Sequence, residues 1–197
     1  MGAKTTVIMN RRDALSRVAL LFGGSIIGAE AFLSGCKTAT KYGASMNFTP
    51  DDIAYLNEIA ETILPATNTP GAKEAKVGEF MTVMVKDCYE EKDQKIFMEG
   101  MGKLDDACKK KNSKSFMESS AAERHDFLVA LDKEAKDYQK SKKAEDPSHY
   151  FTMMKQLTLT GFFTSEPGAT KALRYVAIPG KYEGCIPYKK GDKAWAT

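Results

Sequence analysis

From residue 49 onward the chain repeats apolar side chains at helical intervals. Thr49-Pro50-Asp51-Asp52 has the composition of a helix start: a hydroxyl N-cap, proline in the first turn and acids beside it. Ile53, Leu56, Ile59, Ala60, Ile63 and Leu64 then follow along one face, and Pro65 stops the helix. Residues 66–71 are rich in proline, glycine and asparagine and read as a loop. The spacing predicts a second helix over about 75–89, with Val77, Met81, Met84 and Cys88 in line, and a third over about 92–110, with Phe97, Met101, Leu104 and Cys108. Ser120-Ala121-Ala122-Glu123 is a capping box opening a fourth helix that carries Phe127, Leu128, Leu131, Ala135 and Tyr138. Ser148 is placed to cap a fifth, over 149–164, whose Tyr150, Phe151, Met153, Met154, Leu157, Leu159, Phe162 and Phe163 cover nearly every face. Such a helix has to be buried, in the domain or against a partner. After Glu166-Pro167-Gly168 a helical turn over 170–175 is expected, and the glycine- and proline-punctuated tail 178–197 reads as irregular and extended. The fold expectation is therefore all-α: an irregular bundle of about five helices with an extended C-terminal arm.

The first 35 residues follow a different pattern. Arg11-Arg12 precedes a 12-residue uncharged run, Val18–Ala29, and then Leu33-Ser34-Gly35-Cys36. The run is short against the ~20 apolar residues of a membrane span, and a basic start followed by a short apolar core matches a signal peptide. The arginine pair points to the twin-arginine (Tat) route, which exports folded proteins; taken alone it is equally compatible with the Sec route. Leu33-Ser34-Gly35-Cys36 resembles a bacterial lipobox, which implies cleavage before Cys36 and acylation of its thiol and new amino terminus. Residues 36–47 then read as a flexible tether and 48–197 as the helical domain. The expected location is periplasmic, lipid-anchored to the cell envelope after Tat export.

Composition narrows the chemistry. The full chain of 197 residues carries a formal charge of +3, too little to argue for a nucleic-acid partner. Without Lys4, Arg11, Arg12, Arg17, Asp13 and Glu30 of the leader the charge falls to +1, so the basic excess belongs mostly to the address. There is no haem-attachment motif, dinucleotide fingerprint or P-loop. His125 and His149 are the two histidines, 24 positions apart, so no metal site is expected, and no catalytic residues are assigned. Adjacent acids such as Asp51-Asp52 and Asp105-Asp106 point about 100° apart on a helix and do not make a dyad. Cys88 and Cys108 both continue apolar stripes. They read as buried thiols, with a disulfide between them left to geometry. Cys185 lies in the tail and is a candidate for an interchain disulfide.

Several segments together resemble a known family. Glu61-Thr62-Ile63-Leu64-Pro65-Ala66-Thr67, Thr69-Pro70-Gly71-Ala72, Val77-Gly78-Glu79-Phe80, Gly161-Phe162-Phe163-Thr164 and the Leu173-Arg174-Tyr175 to Ala194-Trp195 tail, behind a twin-arginine leader, are similar to gluconate 2-dehydrogenase subunit 3. The resemblance implies a non-catalytic partner of a large FAD-containing GMC-type oxidoreductase acting on a sugar, sugar acid or glycoside. It also implies passage through the Tat translocase with that partner, and onward electron transfer to a cytochrome c subunit carrying haem c or to another acceptor. No cofactor is expected in this chain; the FAD belongs to the large subunit. Aromatic anchors with an arginine are typical interface material. Tyr150, Phe151, Phe162, Phe163, Arg174, Tyr175, Tyr182, Cys185, Tyr188 and Trp195 are accordingly the expected partner interface, with Arg11 and Arg12 as export signal and Cys36 as lipid site. The competing expectation is a stand-alone helical periplasmic lipoprotein that binds a ligand or acts as a scaffold.

Overall fold

A computed structural model describes residues 42–43 and 47–197 apart from 179, 182 and 197. Arg11, Arg12, Cys36 and Tyr182 lie outside the described residues. Five α-helices form among the described residues: α1 (Pro50–Ile63), α2 (Val77–Cys88), α3 (Glu91–Asn112), α4 (Ala121–Ser141) and α5 (Tyr150–Thr164). A short π-helical segment follows, Gly168–Ala172. No strand is formed among the described residues, and one isolated β-bridge joins Arg174 to Trp195. The all-α expectation holds.

The helix starts follow from side-chain chemistry. The Thr49 hydroxyl accepts the Asp52 N–H, and the Asp52 carboxylate accepts the Thr49 N–H at 2.9 Å. Ser120 and Glu123 repeat the exchange at the start of α4. α2 lacks a local cap: Lys76 occupies the N-cap position in left-handed backbone without a side-chain bond. Its open N-terminus is served from α1 instead, where Asn57 Oδ1 accepts the Gly78 N–H at 2.8 Å. α5 is capped by His149, whose Nδ1 accepts the Phe151 N–H at 3.2 Å, and not by Ser148. The helix begins one residue later than expected, and an unprotonated imidazole nitrogen supplies the acceptor that a serine hydroxyl would have given.

α5 is the centre of the fold and packs against all four other α-helices. Phe151, Met153, Met154, Leu157 and Phe162 are buried along it. Close packing at its two ends needs glycine. A Cβ on Gly100 of α3 would stand 2.4 Å from the Tyr150 side chain, and one on Gly161 would stand 2.6 Å from the Phe80 ring. Beside α5 runs an aromatic column: Tyr42 stacks on Tyr55 at 3.9 Å, Tyr55 meets Phe116 edge-on at 5.7 Å, and Phe116 meets Phe127 at 6.4 Å. Tyr42 falls in the stretch read as tether, yet it is buried and belongs to the core. On α2 the buried line is Val77, Met81 and Val85. Cys88 is the last helical residue, beyond the packed length, and is exposed, which corrects its expected burial. Cys108 is buried as expected, near the Ser119 hydroxyl and the Asn112 amide, and both thiols are free.

Arg124 ties α4 to the rest. Its guanidinium donates to the Phe116 and Met117 carbonyls at 2.8 and 2.7 Å and to Glu58 of α1 at 2.7 Å. Burial alone would raise the Glu58 pKa, but hydrogen bonds and charge from Lys73 and Arg124 outweigh it and hold the carboxyl below its ordinary value. Arg124→Ala leaves these acceptors without their donor. Charge-assisted bonds contribute about 1.5–3 kcal/mol each on removal, so we expect the variant to lose about 3 kcal/mol in urea unfolding.

A pH effect follows from the α5 cap. Burial is the main cause holding the His149 pKa below 6.5, and Glu134 opposes it only in part. A histidine whose folded pKa is depressed contributes stability above its unfolded pKa that is lost as pH falls toward the folded value. Stability should therefore decline as pH drops below about 6.5. His149→Asn, which caps without titrating, should remove that part of the decline in thermal unfolding followed across pH.

Candidate partner interface

The C-terminal arm grows from the end of α5 through a tightly specified joint. The Ser165 hydroxyl donates to the Phe162 carbonyl at 2.6 Å and accepts the Gly168 N–H at 3.1 Å. A Cβ on Gly168 would lie 1.8 Å from the Phe162 carbonyl oxygen, so this position excludes a side chain. The π-helical turn closes with the Leu173 N–H donating to the Gly168 carbonyl at 2.9 Å. The expected helical turn thus forms, two residues early and in π geometry.

The tail then leaves and returns. Arg174 donates its N–H to the Ala194 carbonyl at 2.8 Å and accepts the Ala196 N–H at 3.1 Å. The Arg174 guanidinium lies 4.4 Å from the centre of the Trp195 ring, a cation–π arrangement. Lys193 adds a bond from its ammonium to the Lys171 carbonyl. The described residues between Tyr175 and Lys193 are irregular, as expected, and the segment is closed at its neck by a clasp. A turn at Gly191, with φ +96°, brings the Asp192 carboxylate to the Lys189 N–H at 3.0 Å.

This arm carries most of the large apolar side chains left in solvent. Ile178 is 84% exposed and Tyr188 78%, and Tyr175, Val176, Ile186 and Trp195 are exposed with them. α5 adds Phe163 and Leu159. Of the residues expected at an interface, Phe163, Arg174, Tyr175, Cys185, Tyr188 and Trp195 are on the surface. Phe151 and Phe162 are not: the surrounding helices enclose them in the core. Tyr150 is half-buried, and burial pushes its hydroxyl up to about 12. Val176, Ile178 and Ile186 belong to the exposed set without having been singled out, because a tail without periodicity gives no face to read.

A second surface feature is the loop after α1. Glu61 organises it: one carboxylate oxygen accepts the Ala66 N–H at 2.9 Å and the other the Lys73 N–H at 2.8 Å. A Cβ on Gly71 would stand 2.4 Å from both of those oxygens. Residues 65–68 are held outward on this frame.

The remaining reactive side chains have structural roles. His149 caps α5, His125 faces Asp126 on the surface at 3.4 Å, and Asp105 accepts the buried Phe116 N–H while pairing with Lys109. Among the described residues no group of three or more His, Cys, Asp or Glu side chains is arranged to hold a metal ion. No helix there is long and apolar enough to cross a membrane.

The described residues thus form an all-helical domain with a clasped arm that exposes apolar side chains. Residues 50–180 match the family model of gluconate 2-dehydrogenase subunit 3, and the chain belongs to that family. The family is a subunit of a dehydrogenase complex and implies association with a larger dehydrogenase subunit. Comparison with curated proteins and with solved structures returned no match. The family match takes in the Glu61 loop and the Arg174 side of the clasp and stops before Trp195.

Glu61→Gln replaces one acceptor oxygen by an amide that faces a backbone N–H. We expect hydrogen–deuterium exchange at Ala66 or Lys73 to rise by at least about tenfold, which corresponds to about 1.4 kcal/mol of local protection. Amides within α4 should keep their rates.

Proposed function

We propose that this chain is the small, non-catalytic subunit that exports, anchors and stabilises a large FAD-dependent GMC-type oxidoreductase acting on a sugar, sugar acid or glycoside. The observation that carries the reading is the clasped arm: a set of exposed aromatic and aliphatic side chains, with Arg174 among them, on a chain of the subunit 3 family. An apolar set that the domain's own fold leaves in water is material for a protein partner. The docking surface is formed by Phe163, Arg174, Tyr175, Tyr188 and Trp195, with Cys185 available for an interchain disulfide. Phe151 and Phe162 stabilise the helix that presents it.

The leader fits the same role. A flavoprotein has to fold around FAD before it crosses the membrane, and a Tat signal on a cofactor-free companion, read from Arg11 and Arg12, lets the pair travel folded. Acylation at Cys36 then holds the complex at the envelope, where electrons leave the flavin for a cytochrome c or another carrier.

Ending the chain after Leu173 removes the arm and leaves all five α-helices. The truncated subunit should stay helical by circular dichroism but lose co-purification of a yellow, flavin-containing large subunit. Undiminished co-purification, or a native chain that is colourless and monomeric when expressed with its genomic neighbours, sinks the reading. Separately, Cys185→Ser should abolish a reducible heterodimer band on non-reducing gels; a native complex with no such band refutes the disulfide.

A further inference from the structure

The charge of the chain is divided between its helices and its arm. Residues 48–167 carry 17 Lys and Arg against 22 Asp and Glu, a balance of −5. Residues 168–197 carry six against two, a balance of +4. Two of those six cations face carboxylates: Lys171 meets Glu74 at 3.4 Å, and Lys181 meets Glu183 at 2.6 Å. Among the described residues no carboxylate pairs with Arg174, Lys189, Lys190 or Lys193, and all four are exposed. Three of them converge. The clasped arm carries an open cleft of about 750 Å³ whose lining combines Tyr175, Ile186 and Pro187 with Arg174, Lys189 and Lys193. The acid in the lining, Asp192, already accepts the Lys189 N–H at 3.0 Å. We infer that this cleft receives an acidic segment of the larger dehydrogenase subunit, its carboxylates meeting the three cations and its apolar side chains meeting Tyr175, Ile186 and Pro187.

The inference rests on the partner reading given above and adds the chemistry of the face that meets the arm. Cations set among apolar side chains select the complementary pattern. A basic face is repelled, and a purely apolar one would desolvate the cations without pairing them. A second copy of this chain is a poorer match, because its exposed apolar side chains lie mostly on the same cationic arm. An anionic bilayer is a poorer match in shape: it is flat, and three of the four unpaired cations line a concavity. The cleft is also too open to enclose a small molecule as a ligand pocket does. Attraction between complementary charges acts mainly on the rate of encounter. It is screened by salt, whose Debye length falls from about 10 Å at 0.1 M to about 3 Å at 1 M.

The complex purified with the full-length chain is treated with a carbodiimide, which joins a lysine amine to a carboxylate only where the two touch. Mass spectrometry should find Lys189, Lys190 or Lys193 linked to Asp or Glu residues of the flavin-containing large subunit. Lys189→Glu combined with Lys190→Glu should slow association with that subunit by at least about tenfold at 0.1 M NaCl, the lower end of electrostatic steering. It should also flatten the fall in rate that the native pair shows up to 1 M. The variant should match the native chain in circular dichroism and in the fluorescence of Trp195, the single tryptophan, which lies against Arg174 in the clasp. Lys133→Glu with Lys143→Glu makes the same change in net charge on and just beyond α4 and should leave the rate close to native. A flavin complex that forms equally fast with the arm variant, or crosslinks only through lysines of residues 48–167, overturns the acidic segment and leaves the subunit reading standing. Arm crosslinks confined to a second copy of this chain overturn it as well. So does a native arm that binds phosphatidylglycerol vesicles while the variant still assembles at the native rate. If no flavin-containing subunit binds, the subunit reading falls and this inference with it.

Discussion

Helix α5 buries Phe151, Met153, Met154, Leu157 and Phe162 around most of its circumference, and the rest of the molecule is arranged to cover them. So wide an apolar surface is stable in water only when other elements cover it, and α1 to α4 supply the cover, leaving in solvent only a strip with Gln156, Leu159, Thr160 and Phe163. The two glycines at its ends let neighbours approach more closely than any side chain allows, Gly100 under Tyr150 and Gly161 against Phe80. The aromatic column from Tyr42 to Phe127 fills the flank and joins four segments distant in sequence. Removing apolar character from α5 would therefore not open one contact but withdraw the common partner of four helices.

The polar groups follow a parallel logic. Asp52, Glu61, Asp105 and Glu123 each accept one or more backbone N–H groups that would otherwise lack a partner. Asn57 performs the same service for α2. No buried side-chain nitrogen or oxygen among the described residues is left without a hydrogen bond. Carboxylates that fix loop and helix ends are committed to structure. The large apolar side chains that this arrangement leaves in solvent lie mostly on the arm.

How much of this was legible depended on the range of the interaction. The N-cap at Thr49, the capping box at Ser120, the stop at Pro65 and the broad apolar surface of α5 are encoded within a few residues, and each is legible there. Cys88 was misplaced because periodicity continues to the last residue of a helix while packing does not. Serine is the commoner cap type, so composition points to Ser148, and the actual cap at His149 differs by one residue of register. Tyr42 and the clasp were invisible for a different reason. Tyr42 is specified by a ring 13 positions away and by the close fit of Gly43 against Met98 of α3, and Arg174 meets Trp195 across 21 positions. No local pattern records such pairings. Within the candidate interface, composition located the aromatic residues correctly on α5 and the tail, but only the three-dimensional cover separates Phe162 from Phe163.

The clasp at Arg174 and Trp195 also has an evolutionary meaning. Both ends of the 175–193 segment are fixed to each other, so the segment is a closed loop whose interior makes few demands on the helical core. Lengthening such a loop costs little, about 0.6 kcal/mol for each doubling. The neck is the part that the physics constrains, while the span beyond it can change in length at little cost. A scaffold of this kind can carry a different arm by altering one loop, with the described helices and their caps left as they are.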